Sequence, residues 1–150
     1  MINEKINHKD LCKMAVKWLK GIGCKVTISE MASAAQEEPD AIGWRSGVSI
    51  LVECKTSQND FKKDAHKFWR RMPEYGMGDW RFYMCEKDVI LPNQLPENWG
   101  LIYIINQKTK LIVGPKGNAS WGKRPFKANQ QHEIRLLVSA LSRKTRTYHE

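Results

Sequence analysis

Residues 48–55, Val-Ser-Ile-Leu-Val-Glu-Cys-Lys, form an almost unbroken apolar, β-branched run that closes on one acid and one amine. A run of this composition is a strand covered on both faces, so the chain must place a layer on each side of a sheet. Side chains alternate along a strand, which puts Glu53 and Lys55 on one face, about 6 to 7 Å apart at ~3.3 Å rise per residue. Ionisable groups are rarely kept at the end of a buried strand without a partner or a task.

The preceding segment, Pro39-Asp40-Ala41-Ile42-Gly43-Trp44, is a short apolar stretch after a proline, and Arg45-Ser46-Gly47 supplies a turn into the next strand. The pattern predicts a hairpin. Pairing the two strands brings Asp40 toward the end that carries Glu53, and two carboxylates held close call for a cation or a proton between them. Mg²⁺ or Mn²⁺ suits carboxylate and carbonyl oxygens, so Asp40, Glu53 and the backbone carbonyl of Cys54 form a candidate metal site. Lys55 is a compact point charge that can orient a water or offset charge developing on a phosphate, which makes Asp40, Glu53 and Lys55 the candidate catalytic set.

Pro39-Asp40, twelve intervening positions and Glu53-Cys54-Lys55 together resemble the signature of the PD-(D/E)XK nuclease superfamily. The wider context, residues 38–44, then 51–57, then Asp60-Phe61 and Asp64, is similar to the MmcB-type DNA-repair group within it. The resemblance covers about residues 8–91 and continues more weakly at 99–101 and 111–113. It implies an α/β fold with a restriction-endonuclease-like core, a central mixed sheet flanked by helices, and metal-dependent endonuclease cleavage of DNA in repair or processing. The alternative is a catalytically inactive or latent protein of the same fold that binds nucleic acid or a protein partner. Sites of this kind commonly carry a third acid, for which Glu30 and Glu38 are the candidates, Glu30 being favoured.

Charge points to a polyanionic partner: 25 Lys plus Arg stand against 16 Asp plus Glu, a formal net charge of +9, which favours nucleic acid. No apolar run approaches the ~20 residues of a membrane span, and the N-terminus lacks a signal-peptide pattern, so the expected location is cytoplasmic. Cys12, Cys24, Cys54 and Cys85 are scattered without zinc-ligand spacing and are expected as reduced thiols, and the four histidines form no metal or triad pattern. No Gly-rich phosphate loop is present, so no nucleotide cofactor is expected. A monomer with one site nicks one strand per encounter, which leaves a homodimer open.

The remaining elements suit such a core. Leu11, Met14, Ala15, Trp18 and Leu19 recur at helical spacing with Asp10 as N-cap and Gly21 as stop. Residues 25–29 alternate as a first strand, and residues 33–37 read as a mobile connecting loop. Ser57-Gln58-Asn59-Asp60 has the form of a capping box opening one helix that Pro73 ends, with Phe61, Ala65, Phe68, Trp69 and Met72 on its apolar face. Its other face carries Lys62, Lys63, His66, Lys67, Arg70 and Arg71, a candidate phosphate-binding surface on which Lys67 comes within reach of the site. Asp60 or Asp64 is a further candidate for orienting the strand's end.

Residues 81–85 and 100–105 read as strands, the latter paired with 111–114 through a turn at 106–110. Residues 117–127 form a basic-aromatic loop in which Lys123 and Arg124 are candidates for phosphate contact, while Trp121 and Phe126 either stack a base or pin the loop to the core. Ile134, Leu137, Val138 and Leu141 mark a last amphipathic helix. Residues 1–142 are read as one domain and 143–150, with Arg143, Lys144 and Arg146, as a basic, frayed tail.

Overall fold

A computed structural model describes residues 4–149, with side chains through residue 144. The order is α1 (His8–Gly21), β1 (Val26–Ser29), β2 (Ala41–Arg45), β3 (Val48–Cys54), α2 (Gln58–Asp64), α3 (Phe68–Arg71), β4 (Trp80–Glu86), β5 (Gly100–Ile105), β6 (Lys108–Val113) and α4 (Gln130–His149). The strands make one six-stranded sheet in sequence order. β1, β2 and β3 form an antiparallel meander, β3, β4 and β5 run parallel, and β6 returns antiparallel to β5. The protein is therefore α/β with a mixed sheet flanked by helices, consistent with a restriction-endonuclease-like core.

All seven residues of β3 are buried, as the apolar run requires of a strand with neighbours on both edges and layers on both faces. Its even-numbered residues, Ile50, Val52 and Cys54, pack with Leu11, Cys12, Ala15 and Leu19 of α1. Leu51, on the opposite face, packs with Phe61 of α2 and Leu136 of α4. Glu53 and Lys55 alternate with Leu51 and so emerge beneath α2 and α3.

Several boundaries differ from the sequence reading. The N-cap of α1 is Asn7, whose side chain accepts from the Asp10 N–H at 2.8 Å, so Asp10 lies within the first turn. The predicted single helix after Ser57 is two: Ser57 caps α2 as expected, but α2 stops at Asp64, and α3 begins at Phe68 after a turn in which Lys67 N–H bonds the Asp64 carbonyl. This break rotates α3 away from the face that a continuous helix would present, and the buried ion pairs described below hold it there. The turn between β5 and β6 contains Asn106 and Gln107, both at positive φ, and β6 starts at Lys108 rather than after Lys110.

On α4 the buried positions are Glu133 and Leu136, whereas Ile134, Val138 and Leu141 are largely exposed. The helix is turned by Glu133, which accepts from Ser49 Oγ (2.8 Å), Gly78 N (2.8 Å) and Trp44 Nε1 (3.3 Å). A buried carboxylate must find donors, and here that requirement outweighs the apolar stripe. Residues 143–149 are helical and continue α4, and the side chain of Arg146 lies outside the described residues. No helix among the described residues is long and apolar enough to cross a membrane.

Within residues 33–37, Glu37 is 2% exposed and accepts from Met77 N–H at 2.7 Å. Trp121 is buried against Trp18, Trp80 and Phe82, and Phe126 lies edge-on to Trp99 with the Arg81 guanidinium 4.1 Å from its ring. These two aromatics pin the 117–127 segment to the core.

Candidate active site

β2 and β3 are in register with Ala41 opposite Val52, so Asp40, one residue before β2, stands across from Glu53. Asp40 Oδ2 accepts the Cys54 N–H at 2.8 Å, which extends the pairing by one side-chain bond and fixes the carboxylate at the strand end. Asp40, Glu53, Cys54 and Lys55 line one cleft of about 240 Å³, joined by His8 from α1 and by Asp60, Lys63, Asp64 and Lys67. The cleft lies at the carboxyl end of β3, where the buried strand emerges from the core.

Glu53 is 3% exposed, with Oε1 3.2 Å from Arg70 Nη2 and Oε2 3.9 Å from Lys55 Nζ. Burial, and then the nearby Asp40 charge, push its carboxyl well above the ordinary range, and Arg70 offsets only part of this. Lys55 Nζ is 3.1 Å from Asp64 Oδ1. Asp64 is fully buried and also meets Lys67 Nζ (2.9 Å), Arg70 Nε (2.7 Å) and the Tyr83 hydroxyl (2.6 Å). Burial alone would raise the Asp64 carboxyl, but Arg70, Lys55 and the hydrogen bonds from Tyr83 and Lys67 hold it well below the ordinary value. Asp64 is thus the fixed anion behind the ammonium of Lys55. The Cys54 thiol is pushed well up by the neighbouring Cys12 thiol and by burial, so sulfur stays protonated and offers no thiolate to the cleft.

Arg70, expected on a phosphate-binding face, is instead 4% exposed and bridges Glu37 (2.8 Å), Glu53 and Asp64, with its guanidinium 4.8 Å from the Trp99 ring. Burial works against its charge, but Glu37, Glu53 and Asp64 outweigh that and raise its pKa. A planar fork that satisfies three carboxylates at once is work a lysine cannot do.

Of the other basic residues on α2, α3 and the turn between them, Lys62, Lys63, His66 and Arg71 are exposed, and Lys63 and Lys67 line the cleft. Lys67 is raised in pKa: burial opposes its charge, but Glu53 and Asp64 prevail. Lys123 and Arg124 lie elsewhere. Arg124 is 4.0 Å from Asp79, next to the first residue of β4, at the opposite end of the parallel strands from Glu53 and Lys55.

The second oxygen of Asp40 faces a different group. Oδ1 is 3.2 Å from His8 Nε2, and His8 Nδ1 is 3.4 Å from Glu30 Oε1. One ligand-capable atom each from His8, Cys12, Glu30 and Asp40 lies within 4.8 Å of the others. Glu30 therefore reaches Asp40, through a backbone at φ +48°, whereas Glu38 is exposed and does not line the cleft. His8 was not singled out from sequence, because a lone histidine opening a helix has no spacing partner; only the packing of α1 on β2 and β3 brings it to Asp40.

The donor set fits a hard divalent ion. Asp40 and Glu53, with the Cys54 carbonyl between them and Lys55, are the oxygen donors of the cleft that such an ion takes, whereas the oxygens of Asp64 are already met by Lys55, Lys67, Arg70 and Tyr83.

No protein-family model matches the chain, and no curated protein matches it. Among solved structures it is similar to the SPO1766 protein of unknown function from Silicibacter pomeroyi, with a TM-score of 0.61 and 19% identity over 98% of this chain and 94% of that one. At that identity the likeness shows a shared fold.

Proposed function

We propose that the protein is a Mg²⁺- or Mn²⁺-dependent deoxyribonuclease that hydrolyses phosphodiester bonds in DNA, with DNA repair or processing as its setting and the cytoplasm as its location. The observation that carries this reading is the convergence of Asp40, buried Glu53 and Lys55 on one cleft, with Glu53 raised by burial and by Asp40. The basic side chains of Lys63 and Lys67 on the rim, and the net charge of +9, support a polyanionic substrate.

In this reading Asp40 and Glu53 would hold the ion, with the Cys54 carbonyl beside them, and Glu30 and His8 stand on the far side of Asp40. When bound, a divalent ion supplies Lewis-acid stabilisation of the charge developing on the phosphate. Lys55, held from behind by Asp64, presents its ammonium to the same phosphate or to the attacking water. Lys67 and Lys63 position the flanking backbone. Arg70 keeps Glu53 aimed and pulls its pKa down against burial.

Purified protein incubated with linear, circular, branched and single-stranded DNA in Mg²⁺, Mn²⁺ or EDTA should cut only with metal. Lys55→Ala and Asp40→Asn should each lower the rate by about a hundredfold or more. Cutting in EDTA, or equal cutting by the variants, refutes the mechanism. Tight DNA binding without cutting under every condition favours the non-catalytic alternative.

A further inference from the structure

Beyond the cleft, across the Arg70 guanidinium, the surface holds a second cavity of about 320 Å³. Three aromatic residues line it. Phe68 and Tyr75 are 42% and 43% exposed with ring centroids 5.1 Å apart, and Trp69 stands beside them. The indole Nε1 of Trp69 is buried and has no hydrogen-bond partner among the described residues. That atom is closed off from the cavity, so Trp69 supplies ring surface and not its N–H to the wall.

Polar groups complete the wall. His132 Nδ1 is 2.9 Å from the Tyr75 carbonyl, which can only accept, so Nδ1 carries a proton. Arg135 adds an exposed cation. Glu37 adds no free negative charge, because its two oxygens are taken by Arg70 and by Met77 N–H. The cavity adjoins the cleft: Lys67, which lines the cleft, has its ammonium 5.9 Å from the Trp69 ring.

We infer that this cavity is a nucleobase pocket, which receives an unpaired base of a nucleic-acid strand while the neighbouring backbone lies against Lys67 and the cleft. An aromatic pair exposed to solvent offers a π-face to any base. A volume near the small end of ligand pockets, roughly 300–1,000 Å³, has room for one base. A base inside a duplex cannot reach the pocket without leaving its stack, so the preferred substrate has unpaired nucleotides near the cut. This inference rests on the nucleic-acid reading above and specifies its substrate.

The test is binding, measured in EDTA so that no cutting occurs. A single-stranded DNA oligonucleotide with one 2-aminopurine is titrated with protein, alongside a blunt duplex in which the same base is paired. The single strand should give a saturable fluorescence change and bind more tightly than the duplex. Phe68→Ala combined with Tyr75→Ala, both at exposed positions, should weaken single-strand binding about fivefold or more. Arg135→Ala, which removes the exposed cation of the wall, should weaken it roughly twofold to tenfold. Circular dichroism and thermal melts check that the variants are folded. Equal affinity for single strand and duplex, or wild-type affinity in both variants, overturns the pocket even if the protein cuts DNA. Binding that behaves as expected in a protein that cuts nothing retains the pocket and removes the hydrolytic reading.

Discussion

Glu53 carries opposing demands: it must be a carboxylate to hold metal, yet burial and Asp40 favour its neutral form. Its pKa lies above the ordinary 4.5, so over the interval above that value the folded protein holds a proton that the unfolded chain has released. The sign follows. Without metal, Glu53's contribution to stability falls as pH rises from 4.5 through its folded pKa, and a bound cation reverses this by favouring the charged form. Calorimetric titration with Mn²⁺ should therefore show affinity rising with pH across that interval, further toward neutrality than an ordinary glutamate would place it. Arg70 lowers the Glu53 pKa from 3.2 Å away. Arg70→Gln should move the affinity curve to higher pH and weaken binding at neutral pH, while Arg70→Lys, which keeps the charge, should move it less. An unmoved curve in Arg70→Gln would show that the guanidinium does not tune Glu53.

At the level of elements, the site depends on how α1 is started and where α2 stops. Asn7 caps α1 through Asp10 N–H and thereby sets the position of His8 beside Asp40. Removing an N-cap side chain costs about 1 kcal/mol, so Asn7→Ala should lower thermal stability by that order, whereas Asp10→Ala should cost less. Equal losses in chemical denaturation would return the cap to Asp10. The break between α2 and α3 has larger consequences for function. The turn at residues 65–67 brings Arg70 inward to meet Glu37, Glu53 and Asp64, and it leaves Phe68 and Tyr75 outward. Helical periodicity alone places Phe68 and Trp69 inside and Arg70 outside; Glu37, Glu53 and Asp64, which Lys55 and Lys67 do not satisfy by themselves, draw Arg70 inward instead.

For the whole molecule, +9 of formal charge predicts DNA affinity that falls steeply with salt. The slope of log affinity against log salt should drop by about one on Lys63→Ala, since Lys63 lines the cleft, and stay unchanged on Lys123→Ala, which lies at the far end of the strands. Equal effects of the two would place the DNA path elsewhere. The sequence by itself determined the central strand, the hairpin that sets Asp40 opposite Glu53, and the α/β class, because these rest on periodicity and turn chemistry between neighbours in the chain. Only the tertiary structure decided that Asp64 and Arg70 are the buried counterions, that His8 faces Asp40, and that Glu133 turns α4. Each is a charge or hydrogen-bond demand met by a residue distant in sequence, and a buried polar group takes whatever partner the packing brings within reach.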